Sequence, residues 1–339
     1  MTKTHLTRRA AIAGAALICG PAVANEGPAL ITGVNLAGLE FNSSNLPGRL
    51  DHNYVSPTTE ELDYYHAAGA RAVRIPFLWE RAQPALNERL DEPYTGLIDR
   101  LVEACGARRM RLILDPHQYG RRRVNGEAMI IGESAVTGAH FAHFWSLLAR
   151  RYASADHVIF GLQNEPHDQD TPRLIGALNT AITAIRASGA RQLILAPGNG
   201  WSGAHAWLRR GNQAMLGVRD PLSNIALDAH QFLDADSSGT HDTCAADAGG
   251  RLDAFTAWAR ENGQRAFLSE FGAAANAACE RELIGLLEHM AANRDVWIGW
   301  TYWAGGPWWD EDYPLSIEPL SMRRPEHRPQ MQILRRYFQ

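Results

Sequence analysis

No block of basic residues occurs in this sequence, and 33 Lys plus Arg against 37 Asp plus Glu give a formal net charge of −4. Binding to a phosphate backbone needs a concentrated positive face, so nucleic acid is not an expected partner. Cysteine is scarce, at four in 339 residues, and no Cys/His spacing matches a zinc site. No Gly-rich phosphate fingerprint follows any strand-like run. Neither a metal nor an organic cofactor is therefore expected. Long apolar runs are missing too: Ala10 to Ile18 is too short to span a bilayer. What remains is an ordinary globular composition, 45% hydrophobic and 21% charged, long enough for one large core or two small ones.

The first 24 residues read as a signal peptide. Thr7-Arg8-Arg9 precedes the apolar run, and Ala22-Val23-Ala24 gives a small-residue cleavage pattern. The paired arginines point to the twin-arginine route. Cys19 follows Leu17-Ile18, and the bulky Ile18 argues against a lipoprotein anchor. Removing Lys3, Arg8 and Arg9 leaves 30 basic against 37 acidic residues, a net −7. The expected product is a secreted or periplasmic monomer, residues 25–339, with no membrane attachment. Of the cysteines left, Cys244 and Cys279 fall in loops after predicted strands and are expected to pair in an oxidising compartment. Cys105 sits in an amphipathic helical stretch and is expected as a buried thiol.

The informative stretch is Val158-Ile159-Phe160-Gly161-Leu162-Gln163-Asn164-Glu165-Pro166. An apolar run without alternation, ended by a turn signal, reads as a strand buried on both faces. Similar runs recur at Ile31–Asn35, Arg71–Pro76, Met110–Pro116, Gln192–Gly198, Ile225–His230, Ala266–Glu270 and Val296–Trp303. Helical patterns lie between them, at Thr59–Ala68, Gly96–Ala107, Ala139–Tyr152, Thr171–Ser188, Arg251–Asn262 and Glu280–Asn293. Eight strands alternating with helices, with no linker, predict an α/β fold, a single (β/α)8 TIM barrel. A doubly wound open sheet is the alternative.

In a parallel sheet wrapped by helices, ligands bind at the C-terminal strand ends. Here those ends carry Arg74, His117, Asn164 with Glu165, Trp201, His230, Glu270 and Trp303. Each has a bland explanation alone; one such residue at nearly every strand end does not. Glu165 and Glu270 belong to strands four and seven, which face each other across the mouth of an eight-stranded ring. Two carboxylates flanking a bond are what glycoside hydrolysis needs. Arg74 would keep Glu270 ionised as a nucleophile, and Glu165, without an adjacent cation in sequence, is the better acid. Asn164 is placed to donate to a sugar 2-hydroxyl. Trp79, Trp201, Trp207, Trp303, Trp308 and Trp309 fall largely after strands, where indoles can stack on sugar faces.

These segments resemble a known family. Gly33-Val34-Asn35-Leu36-Ala37-Gly38, Arg74-Ile75-Pro76, Asp115-Pro116-His117, Phe160 to His167, Pro197-Gly198-Asn199, His230 to Asp234, Ser269 to Gly272 and Thr301 to Ala304 are similar to glycoside hydrolase family 5 cellulases. The likeness is to the branch of fungal and bacterial endo-β-1,4-glucanases and covers nearly all of residues 30–339. It implies a retaining double displacement with Glu165 as acid/base and Glu270 as nucleophile. It also implies substrate-positioning roles for Arg74, His117, Asn164, His230 and Trp303, and a β-glucan polysaccharide or oligosaccharide as partner. Phe232 departs from the pattern, since the family has a tyrosine there whose hydroxyl contacts the nucleophile. Tyr302, Tyr119 or a water is the expected substitute. A β-mannanase or xyloglucanase, or a non-catalytic glycan-binding barrel, would use the same residues.

Overall fold

Short runs of buried apolar residues form parallel strands, each followed by a segment that packs its apolar stripe on the outside of the ring. The computed structural model describes Met1, residues 28–133 and residues 135–339. The expected signal peptide and Cys19 lie outside the described residues. The strands are β1 (Ile31–Leu36), β2 (Ala72–Phe77), β3 (Arg111–Pro116), β4 (Arg121–Val124), β5 (Glu127–Ile130), β6 (Val158–Gly161), β7 (Ile194–Pro197), β8 (Ile225–Phe232), β9 (Ala266–Gly272) and β10 (Trp297–Gly305). Eight close into a barrel in the order β1-β10-β9-β8-β7-β6-β3-β2, while β4 and β5 form a separate antiparallel pair. The chain is a single (β/α)8 barrel, as expected.

The helices are α1 (Thr59–Ala68), α2 (Trp79–Ala82), α3 (Glu92–Ala107), α4 (Gly138–Tyr152), α5 (Thr171–Ala187), α6 (Asp253–Glu261), α7 (Ala277–Ala292) and α8 (Pro329–Leu334). Their starts are written locally. Thr58 and Glu61 form a capping box, Asp91 accepts from Tyr94 N, and Asp170 accepts from Arg173 N ahead of Pro172. Among the described residues no helix is long and apolar enough to cross a membrane. Cys244 and Cys279 form the expected disulfide, and Cys105 is a buried free thiol.

Two layers of core follow from the period-two alternation of each strand. Leu112, Leu114, Val158, Phe160, Leu227 and Leu268 pack outward against helices, whereas Ile113, Ile159, Leu195, Ala226 and Phe267 fill the inside of the ring. Alternation would therefore put residue 270 on the outer face with Leu268. A β-bulge prevents it: Ala229 pairs with Leu268 but His230 pairs with Glu270, so Ser269 is the extra residue. The bulge turns both Ser269 and Glu270 inward and returns Phe271 to the outer core.

Element bounds differ from the sequence reading where hydrogen bonding, not hydrophobicity, decides. The strand expected over residues 158–165 ends at Gly161, although Leu162 N still donates to Leu195 O (3.0 Å) and Asn164 N to Pro116 O (2.9 Å). Glu165, at φ 40°, then turns the chain into the cleft. The β4–β5 hairpin was not expected; its Asn125-Gly126 turn, with both φ positive, is a type I′ signal in the sequence. Trp79 and Trp207 are also corrected. Both are fully buried, Trp79 against Phe141 and Phe144 and Trp207 against Phe255 and Trp258, so they are core and not sugar platforms.

Ring closure demands close strand contact at Gly33. A Cβ there would lie 1.9 Å from the Ala72 carbonyl oxygen. Gly33→Ala is expected to lower the unfolding free energy by about 3 kcal/mol. A drop in urea midpoint at unchanged slope would show it, and an unchanged midpoint would mean that β1 and β2 can part freely.

Candidate active site

Inside the upper half of the ring the side chains turn from apolar to polar. Arg74 on β2 is fully buried and reaches four other strands or strand ends. Its Nη1 donates to Asn35 Oδ1 (2.9 Å) and Glu270 Oε1 (2.5 Å), and its Nη2 to Asn164 Oδ1 (2.7 Å) and Asp115 Oδ2 (2.9 Å). Although burial opposes ionisation, the Asp115 and Glu270 carboxylates hold the guanidinium charged. Asp115 is buried as well, yet Arg74 and His117 keep its carboxyl below the usual range. Asn35 adds three bonds, from its amide to the Ser269, Thr301 and Tyr302 carbonyls, which fix β1 against β9 and β10.

Two histidines continue the network. His117 Nδ1 meets Asp115 Oδ2 at 2.8 Å, and its Nε2 meets the Asn164 amide at 3.2 Å. Burial alone would lower its pKa, but Asp115 outweighs that and raises it. His230 bridges the centre: Nδ1 lies 2.7 Å from Glu165 Oε1 and Nε2 lies 2.8 Å from Ser269 Oγ. Burial pushes the His230 pKa down.

The two glutamates sit in unlike surroundings. Burial pushes the Glu165 carboxyl up to about 7, only partly offset by His117 and Arg74. Some 13% of its side chain nevertheless faces the cleft, so it is desolvated without being sealed. Glu270 has the fixed positive charge of Arg74 against one oxygen. A carboxylate oxygen of each glutamate and a ring nitrogen of His230 all lie within 4.8 Å of one another.

Above them is a cleft of about 550 Å³, lined in part by His117, Glu165, Trp201, His230, Glu270 and Trp303. Trp303 stacks on His117 at 5.6 Å and 16°, and the Trp303–Ala304 peptide is cis. At the other end Trp201, 39% exposed, stacks on His167 at 4.4 Å, with the Arg210 guanidinium 5.8 Å from its ring. All eight residues named from the sequence are thus in one region. Six are linked by hydrogen bonds or ion pairs, and two are aromatic walls. Arg74 and Asn164 lie beneath the floor, at 0% and 1% exposure. Trp308 is exposed and outside the cleft lining, whereas Trp309 stacks on the lining residue Tyr313.

Sequence reading missed several members. Asp228 is a charged residue inside an apolar strand, a signal that was present; burial lifts its carboxyl to about 6. Tyr313 has no local signal, since its hydroxyl donates to Gly239 O across 74 residues (3.4 Å). Tyr302 does not replace the hydroxyl absent at Phe232: it donates to Ala273 O (2.9 Å) and accepts from Ala273 N (3.3 Å). Tyr119 stands at the rim, edge-on to the His117 ring.

Two clusters among the described residues have the reach to hold a cation, Glu165/His230/Glu270 and Asp234/Asp236/His241. In the second, Asp234 already accepts from Gly239 N, Thr240 N and His241 N, so the loop itself fills its lone pairs.

A (β/α)8 barrel with two close carboxylates in unlike environments at its C-terminal mouth defines a glycoside hydrolase. The chain belongs to glycosyl hydrolase family 5: residues 31–306 match the family model described as cellulase. It is 38% identical to endo-beta-1,4-glucanase A of Emericella nidulans, over 85% of this chain and 87% of the relative. It is similar to XacCel5A, solved in complex with cellopentaose, at 42% identity and TM-score 0.87, covering 91% of this chain and 99% of that one. It is also similar to endoglucanase Cel5A of Pseudomonas stutzeri, solved with cellobiose, at 30% identity and TM-score 0.83, covering 93% and 94%.

Removing Arg74 would leave two buried carboxylates facing each other uncompensated. Arg74→Met is expected to destabilise by about 3–5 kcal/mol and to abolish activity. Chemical denaturation checks this in a cycle with Asp115→Asn, which should recover part of the loss; full additivity would mean the pair does not interact.

Proposed function

We propose that the protein is a secreted retaining endo-β-1,4-glucanase that cuts internal bonds of cellulose or soluble β-glucan, with Glu165 as acid/base and Glu270 as nucleophile. The observation that carries this reading is the separation of the two carboxylates, with oxygens within 4.8 Å. Retaining enzymes hold their carboxyl groups about 5–5.5 Å apart, whereas inverting ones need roughly 6.5–9.5 Å to admit a water. The relatives' names support the glucan substrate. Export is supported by the Arg8-Arg9 leader pattern and by a disulfide suited to an oxidising compartment.

In the first step Glu270 attacks the anomeric carbon while Glu165 gives its proton to the departing glycosidic oxygen. Burial favours the protonated acid at neutral pH, and a neutral His230 keeps that carboxyl in place. In the second step Glu165, now a carboxylate, takes a proton from water, which attacks the same carbon and releases Glu270. Asn164 and His117, locked to Arg74 and Asp115, set the floor on which the reacting sugar lies, and Trp303 offers an apolar face for its ring.

The test is viscosity loss and reducing-sugar release on carboxymethylcellulose, beside glucomannan and xyloglucan. Rapid viscosity loss with few new ends is expected on carboxymethylcellulose, falling about a thousandfold or more in Glu270→Gln. Activity confined to a mannan or xyloglucan would overturn the substrate, and binding without turnover would overturn the enzyme. Because the acid must be protonated, kcat/KM should fall as pH rises through about 7. A falling limb unchanged in Glu165→Gln would remove Glu165 from that role.

A further inference from the structure

β8 presents Asp228, His230 and Phe232 on one face, in period-two order toward the mouth. Phe232 lines the cleft with Glu270, Trp303 and Tyr313, packed in an apolar cluster with Ala37, Ala304 and Leu315. Gly239 closes against its ring, where a Cβ would come within 2.7 Å. The wall beside the nucleophile is therefore hydrocarbon.

The two oxygens of Glu270 are consequently unequal. Oε1 receives Arg74 Nη1 at 2.5 Å. Oε2 has no hydrogen-bond donor among the described residues: His230 Nδ1 is 3.6 Å away and is engaged with Glu165 Oε1 at 2.7 Å. The hydroxyls of Tyr302 and Tyr313 are directed to the Ala273 and Gly239 carbonyls.

This asymmetry acts oppositely on the two half-reactions. A donor on Oε2 would stabilise the free carboxylate more than the ester formed from it. Its absence leaves the attacking lone pair free and does not hinder formation of the glycosyl-enzyme. When the ester breaks, the carbon–Oε2 bonding pair returns to Glu270, and charge develops on an oxygen that nothing stabilises. Breakdown is the slowed step.

Resting on the double displacement above, we propose that this enzyme is also a transglycosylase, in which Phe232 prolongs the glycosyl-enzyme enough for a second glucan chain to intercept it. Trp201 supplies the acceptor platform: it is exposed, flanked by Arg210, and its backbone N–H donates to the carbonyl of Pro166, the neighbour of Glu165. An acceptor sugar stacked there sets a hydroxyl beside Glu165. Glu165 takes the hydroxyl proton, the acceptor oxygen bonds the anomeric carbon, and the carbon–Oε2 electron pair returns to Glu270. A glucan longer than the substrate leaves.

The experiment uses the mature enzyme and an aryl β-cellobioside with a good leaving group, followed by rapid mixing. A burst of about one phenol per active site is expected, with a steady rate that added cellobiose raises about threefold or more. Cellopentaose at high concentration should give products longer than itself. In Phe232→Tyr the burst should shrink, the steady rate rise and the longer products decline. Hydrolysis without a burst, at a rate indifferent to acceptor, would overturn the inference and leave the hydrolase reading intact. No phenol release at all would remove both. If Phe232→Tyr does not fold, the burst and acceptor titration on the unaltered enzyme decide alone.

Discussion

A fully buried positive charge on β2 sets the terms for the rest of this structure. The Arg74 guanidinium cannot neutralise itself, so its desolvation has to be met by fixed partners. Asp115, Glu270, Asn35 and Asn164 meet it from four other strands or strand ends, which ties the top of the barrel into one unit. The β9 bulge belongs to the same constraint. Without the extra residue at Ser269, strand alternation would leave position 270 outside the ring and Arg74 short of a carboxylate.

The network also separates the two glutamates chemically. Arg74 lies against Glu270 and more remotely from Glu165, whose first-order influence is burial. One carboxyl is thereby given a counter-charge and the other is made reluctant to ionise, which is the division of labour that acid-assisted displacement requires. His230 stands between them, bonded to the acid and fixed from behind by Ser269 of the bulge. Geometry, charge and proton placement are set by the same few residues.

Much of this was legible in the sequence, for a physical reason. Strands buried on both faces show as apolar runs, and the residues that interrupt them at the C-terminal end have little else to do but serve the cleft. Glu165, Glu270, Arg74 and His230 are readable on that ground, and the Cys244–Cys279 pairing follows from two post-strand loops. The bulge was not readable, because one extra residue leaves no mark on hydrophobicity. Trp79 and Trp207 misled because a tryptophan just after a strand can fold back into the layer between sheet and helices as readily as it can face a ligand. The contact of Tyr313 with Gly239 depends on two loops that no local pattern connects.

The central claim is that Glu270 becomes covalently attached to the sugar. Incubation with a 2-deoxy-2-fluoro β-cellobioside carrying a good leaving group, followed by intact-mass measurement and peptide mapping, tests it directly. The account predicts one glycosyl adduct per chain, on the peptide at Glu270. An adduct on a different residue, or turnover that yields the inverted anomer with no adduct, would contradict it.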